Sequence, residues 1–245
     1  MALAWATLVE GTETPAGDGI TGALRCVIEI EDGEQVAAVL KRDTPDLVFA
    51  EALCGMLLTK WGLKVPAPYL VNESDRISFA SADVGYPNLK KALGLDSQDL
   101  SAEEADELTR LAFDVVMSFP TTSLAIALDE AIDNRDRNLG NILWDGSEEA
   151  WIDHAFALGN AVAMPDRNIL CEIATFNGLA DQSSQAAIAR WASLDRDAVA
   201  DAAGEIGVLH DCTAWQDLVL RRLDTLGMRI LARFPQPHDL LGQTP

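Results

Sequence analysis

The sequence predicts an α+β chain in two lobes, a small β-rich one over residues 1–84 and a larger, mainly helical one over residues 85–245. Three observations carry this. The first forty residues hold strand-like apolar runs separated by turn residues, and from residue 101 apolar side chains recur at helical spacing. Between the two regions, Asp83-Val84-Gly85-Tyr86-Pro87 reads as a hinge. The chain has 245 residues, ample length for a core in one large domain or in two small lobes sharing a cleft.

In order, residues 4–10 and 23–31 read as strands, and Asp32-Gly33 as a turn into a third strand at 35–41, QVAAVLK. Between the first two lies Pro15-Ala-Gly-Asp-Gly-Ile-Thr-Gly22. Its glycines would let backbone N–H groups approach a phosphate, but the stretch matches no phosphate-loop fingerprint and serves equally as a hairpin loop. Lys41 ends the third strand. A helix follows at 47–61, with Phe49, Leu53, Met56 and Leu57 at helical spacing and Glu51 in its first turns. A strand lysine held by a helix glutamate neutralises phosphate charge in kinases, which makes Glu51 the natural partner of Lys41. The plainer alternative is a lysine that ends a strand and a solvated glutamate. Gly62 stops the helix, and Val65-Pro66-Ala67-Pro68 is an extended connector into strands near 69–71 and 76–82.

The second region opens on Ser101 and Glu104, a capping box, with Ala105, Leu108, Ala112, Val115 and Phe119 on one helix face. Further helices are predicted at 122–132 and around 167–176, 183–192, 195–205 and 213–234. The stripe Val219, Leu223, Leu226, Ile230 and Phe234 on the last of these reads as core. The tail, residues 235–245, reads as loosely ordered.

Residues 131–158, AIDNRDRNLGNILWDGSEEAWIDHAFAL, carry the densest chemistry. Asp136 and Asn141 have the D-x4-N spacing of a kinase catalytic loop. The run Ile142-Leu143-Trp144 reads as a strand, Asp145-Gly146 as a turn and Trp151-Ile152 as the return strand into Asp153. Phosphoryl transfer needs this set: a carboxylate near the attacking hydroxyl, and an Asn and an Asp to hold metal on the phosphates. The spacing alone does not decide, because Asp83/Asn88, Asp129/Asn134 and Asp133/Asn138 share it and such residues are common in polar loops. Only Asn141 runs directly into an apolar strand, a turn and a second acid at a strand end.

Composition narrows the classes. A net charge of −21 argues against a nucleic-acid-binding face, which relies on clustered Lys and Arg. No apolar run approaches the roughly 20 residues of a membrane span. The first residues lack a basic segment and turn acidic early, and the four cysteines form no C-x-x-C pair, so a cytoplasmic protein with free thiols is expected. Three histidines without zinc-site spacing make a metal hydrolase a poor reading.

With these residues in view, the chain resembles the HipA-like kinases and the related phosphatidylinositol 3-/4-kinase-like branch of the protein-kinase-like fold. The resemblance spans roughly residues 35–156. EALCGMLLTKWGLKVPAPYLV looks like the glutamate-bearing helix and its "GL-x-VP" connector, NRDRNLGNIL is similar to the N-x-D-R-x-x-x-N catalytic loop, and WIDHAFAL is similar to the I-D-H/F metal segment. The resemblance implies a two-lobed kinase with ATP in the cleft and Mg2+-assisted transfer of the γ-phosphoryl group. Asp136 would then be the catalytic Asp, Asn141 and Asp153 the metal ligands, Lys41 the phosphate lysine and Glu51 its anchor. Two departures stand out: Asn138 occupies the place where many relatives have His, and no Gly-rich phosphate-covering loop is recognisable.

The expected function is therefore an ATP- and Mg2+-dependent phosphotransferase acting on a protein Ser/Thr or a small-molecule hydroxyl, with phosphate acceptor and oligomeric state left open. Two rivals remain: a pseudokinase-type nucleotide-binding or interaction module without turnover, and adenylyl transfer in the same cleft.

Overall fold

The structure, a computed structural model, describes residues 3–17, 22–161 and 163–235. The centre of the glycine-containing stretch (residues 18–21) and the tail from residue 236 lie outside the described residues. The architecture is mixed α+β, with eight helices, one large sheet and one two-stranded sheet among the described residues.

Six strands fill the first third of the chain: β1 Ala4–Leu8, β2 Thr14–Pro15, β3 Leu24–Ile30, β4 Gln35–Lys41, β5 Pro68–Asn72 and β6 Ile77–Ala82. They pair in the order β1-β5-β6-β4-β3-β2, and β1 also pairs with β3, so five of them close into a ring with β2 appended to β3. Every pairing is antiparallel except β1 with β5, which runs parallel with Ala4 opposite Tyr69 and Ala6 opposite Val71. A five-stranded ring is narrow, and its lumen is filled by small and medium side chains: Ala6, Cys26, Ile28, Ala38, Leu40, Val71 and Ala80. The register of β3 with β4 sets Cys26 opposite Ala38 and Ile28 opposite Val36, so inward residues meet inward residues.

The helix α1, Pro45–Lys60, follows β4. Pro45 suits a first helical turn, and Gly62, at φ +84°, takes the left-handed turn that ends the helix. Its residues from Val48 to Leu58 are all buried, which is why it lacks a one-sided apolar stripe: it packs on the outer face of β5 and β6 and also on α7, Asp197–Ile206. The Trp61 indole N–H fixes the far end by donating to the Asp195 carbonyl at 2.7 Å. The main core thus runs from α1, Leu70 and Phe79 into the helical region without a break.

The remaining elements are α2 Leu89–Ala92, α3 Ala102–Ser118, α4 Thr122–Ala131, β7 Ile142–Trp144, β8 Glu149–Trp151, α5 Ile169–Phe176, α6 Ala180–Trp191, and, after α7, α8 Thr213–Arg233. The Ser101–Glu104 capping box on α3 is present with both reciprocal bonds. The hairpin β7–β8 pairs Ile142 with Trp151, and its return strand starts at Glu149, two residues before the predicted point. No single described helix is long and apolar enough to cross a membrane.

Candidate active site

Because Val36, Ala38 and Leu40 fill the ring, the two-residue period of β4 turns Val39 and Lys41 outward. There they line a cleft of about 470 Å³, walled also by Phe79 and Ser81 of β6, by residues 83–88 and by the β7–β8 hairpin with its flanks.

Lys41 Nζ donates to Glu51 Oε1 and, at 2.8 Å, to Asp153 Oδ1. Burial by itself would lower the lysine's pKa. The two carboxylates outweigh burial and hold the ammonium above its ordinary value, so it stays charged. Glu51 is buried on α1, and its second oxygen accepts the His154 backbone N–H at 2.9 Å. Burial pushes the Glu51 carboxyl up, and Lys41 pulls it back.

Asp153 is in the left-handed region at φ +65°, a placement that costs a non-glycine residue on the order of 1–3 kcal/mol. Both peptides flanking it are anchored. The Ile152 N–H donates to the Asn141 carbonyl at 3.1 Å, the Ile152 carbonyl accepts from Arg137 Nη1 at 2.9 Å, and the next N–H is the one bound by Glu51.

Asp136 lies in the loop between α4 and the 3-10 turn Leu139–Asn141. Burial holds its carboxyl above the ordinary range, the negative charge of Asp153 adds to this, and Arg137 opposes it. The Asp136 carbonyl accepts from Asn141 Nδ2 at 2.8 Å and from Asn138 Nδ2 at 3.0 Å. Asn138 Oδ1 in turn accepts the Gly140 N–H at 2.8 Å, so this residue closes the loop on itself. Four of the five predicted residues, Lys41, Glu51, Asn141 and Asp153, line the one cleft; Asp136 is electrostatically coupled to it without lining it.

Sequence reasoning gave Arg137 no role, although it follows Asp136 in the motif. All five of its N–H groups are used. Nε and Nη2 donate to Asp129, Nη1 donates to the carbonyls of Asn141 and Ile152, and Nη2 also meets His154 Nε2 at 3.1 Å. The guanidinium carbon lies 5.3 Å from the Trp151 ring centre. One buried cation thus ties α4, the Asp136 loop and the two ends of the hairpin together. Because a guanidinium only donates, His154 accepts through Nε2 and carries its proton on Nδ1. Burial pushes its pKa well below the ordinary value, so the ring is neutral. His154 is a structural acceptor here.

Among the described residues, no donor reaches Asn141 Oδ1 or Asp153 Oδ2. Two oxygen donors of this kind fit Mg2+, which takes one or two carboxylates and completes its shell with water and phosphate. No group of three His, Cys, Asp or Glu among the described residues offers an all-protein metal cage.

The sequence matches no protein-family model and no curated protein. Among solved structures, the chain is similar to the crystal structure of a Helicobacter pylori proinflammatory kinase, CtkA. The TM-score is 0.53 at 13% identity, over 93% of this chain and 96% of that one. The likeness is one of fold. It runs nearly the full length of both chains.

Proposed function

We propose that this protein is an ATP- and Mg2+-dependent phosphotransferase of the HipA-like kinase type. It would be built as two lobes, residues 1–84 and 85–245, and transfer the γ-phosphoryl group to a protein Ser/Thr or small-molecule hydroxyl. The observation that carries this reading is Lys41 held between Glu51 and Asp153, a helix acid and a hairpin acid brought to one cleft from distant parts of the chain.

In this reading Lys41 neutralises phosphate charge, and Glu51 keeps it extended into the cleft. Asn141 and Asp153 would hold Mg2+, which when bound neutralises the phosphate oxygens. The Asp136 carboxylate accepts a hydrogen bond from the acceptor hydroxyl and orients it. As the new O–P bond forms and the bond to the ADP oxygen breaks, the hydroxyl proton passes to Asp136, whose raised pKa suits that late step. The rest is positioning and charge neutralisation in a site partly screened from water.

One observation favours a nucleotide-binding module without turnover: Asp136 does not line the cleft. Calorimetric titration with ATP, with and without Mg2+, on the wild type and on Asp153→Ala, followed by intact-mass detection of transfer, separates the readings. Mg2+-dependent binding that Asp153→Ala weakens, with a product about 80 Da heavier, supports the phosphotransferase. Binding without transfer supports the module, a gain of about 329 Da supports adenylyl transfer, and no binding overturns the nucleotide reading altogether.

A further inference from the structure

The last helix reaches the Asp136 loop through an ion-pair cluster centred on the buried Glu130. Arg222, Arg229 and Arg233 stand seven and four residues apart on α8, hence on one face, and all three converge on Glu130 near the end of α4. Glu130 is almost fully buried and accepts from Arg229 Nε at 2.9 Å and from Arg233 Nε at 2.9 Å.

Arg222 differs from the other two. Its Nε donates to the Glu130 carbonyl at 2.6 Å, and its Nη2 serves both Glu130 Oε1 at 3.0 Å and Asp133 Oδ1 at 3.1 Å. Asp133, two residues past the end of α4, lies in the left-handed region at φ +58°, and its carboxylate grips Arg135 in a fork at 2.9 and 3.1 Å. Arg135 immediately precedes Asp136 and also donates to the Met164 carbonyl at 3.4 Å. Arg233 holds the same downstream segment through the Asp166 carbonyl at 2.8 Å. Charged contacts therefore run without a gap from α8 to the neighbour of Asp136, and α8 also fixes the segment that follows Asp153.

We propose that the relay Arg222–Asp133–Arg135 sets the position of Asp136, making Arg222 and Asp133 positioning residues for phosphoryl transfer; this rests on the phosphotransferase reading. Arg222 uses Nε for the Glu130 carbonyl and Nη2 for both carboxylates, and an ammonium, a single point charge that ends one bond short of Nη2, cannot hold all three; lysine at residue 222 keeps the charge and breaks the relay. Arg229 pairs with Glu130 and touches no residue of the loop itself, which makes it the control. ATP is read as bound at Lys41 and Asp153, away from the relay, so the effect falls on kcat and spares KM. A small displacement of a positioned group is enough to slow the step strongly.

The test compares Arg222→Lys with Arg229→Lys in the full chain. It measures amide hydrogen exchange over residues 133–141 and steady-state Mg2+-ATP hydrolysis with water as acceptor. Arg222→Lys is expected to speed loop exchange about tenfold or more while α3 amides are unchanged, and to lower kcat about tenfold or more with KM within about twofold. Arg229→Lys stays within about twofold of wild type on every readout. A folded Arg222→Lys with wild-type loop exchange and wild-type kcat overturns the relay. If Arg222→Lys does not fold, Arg135→Gln, whose side chain is partly exposed, tests the same connection from its other end. If the wild type turns over no ATP, the phosphotransferase reading fails; the exchange measurement then decides whether α8 sets the loop at all, and unchanged exchange overturns it.

Discussion

Arg137 grips both carboxylate oxygens of Asp129 at 2.9 Å, with side chains 1% and 2% exposed, and the same guanidinium reaches the carbonyls on either side of the hairpin. Breaking a buried pair strands a charge without water and costs about 3–5 kcal/mol. Arg137→Lys leaves three donors for five acceptors, so a loss of about 3 kcal/mol or more is expected in urea unfolding. A loss below about 1 kcal/mol would show that water already shares the site.

Asp153 sits in a left-handed conformation that Asn tolerates better than most residues. Asp153→Asn should therefore keep the fold, with a melting temperature within about 4 °C of wild type. It should also lose the gain in ATP affinity on adding Mg2+, because the amide cannot neutralise the ion. Calorimetry with and without the metal reads this directly. An undiminished Mg2+ effect would remove Asp153 from the metal site.

Glycine inside a helix is normally a weakness, and replacing it by Ala should gain about 1 kcal/mol. Gly227 in α8 is an exception, because an added Cβ would meet Trp191 Cζ3 at 2.5 Å. That ring cannot swing aside freely, since its N–H donates to the Leu223 carbonyl at 3.0 Å. Overpacking costs about 1–3 kcal/mol, so Gly227→Ala should destabilise in thermal or urea unfolding. In a Trp191→Leu background the same change should turn neutral or stabilising.

All four cysteines are buried and unpaired. Burial pushes the Cys212 thiol up to about 11 and holds Cys26, Cys54 and Cys171 above their ordinary value as well. At pH 8 the Cys212 thiolate is then on the order of a thousandth of the thiol. Native protein should react with a thiol-specific disulfide reagent far more slowly than a free cysteine does. In denaturant all four should react promptly. One fast native thiol would place that residue nearer to water than the structure does.

Much of the fold is legible in the sequence where its signals are local. The strands of the ring show themselves through apolar runs and turn residues, and the Ser101–Glu104 cap is a four-residue pattern. A strand lysine and a helix glutamate suggest the pair Lys41 and Glu51, and their contact is present. The early start of β8 is not legible because Glu149 does not look like a strand residue. It is buried nonetheless, accepting from the Thr121 hydroxyl at 2.7 Å, which in turn accepts the Trp151 indole N–H at 2.9 Å. The helix α2 has four residues, too few for a period to appear. The hub at Glu130 cannot be read, since charge pairing across 92 residues leaves no pattern in a single chain. The closing of the ring by β1 was hidden for the same reason: strand periodicity gives which face is buried and not which strand lies alongside.

That closure bears on how the protein is made. The pairs β3–β4 and β5–β6 are hairpin neighbours and can form as soon as their residues are free. The parallel seam of β1 with β5 joins Ala4 to Tyr69 and must wait for the intervening chain, several seconds at ordinary rates of synthesis. Until then the second edge of β1 carries unpaired backbone groups, and with Pro68–Asn72 still missing the lumen around Ala6 and Ile28 is open to water. The nascent chain passes through an interval in which its N-terminal strand is sticky, and a chaperone that shields short extended segments would act during that interval and have no target afterwards.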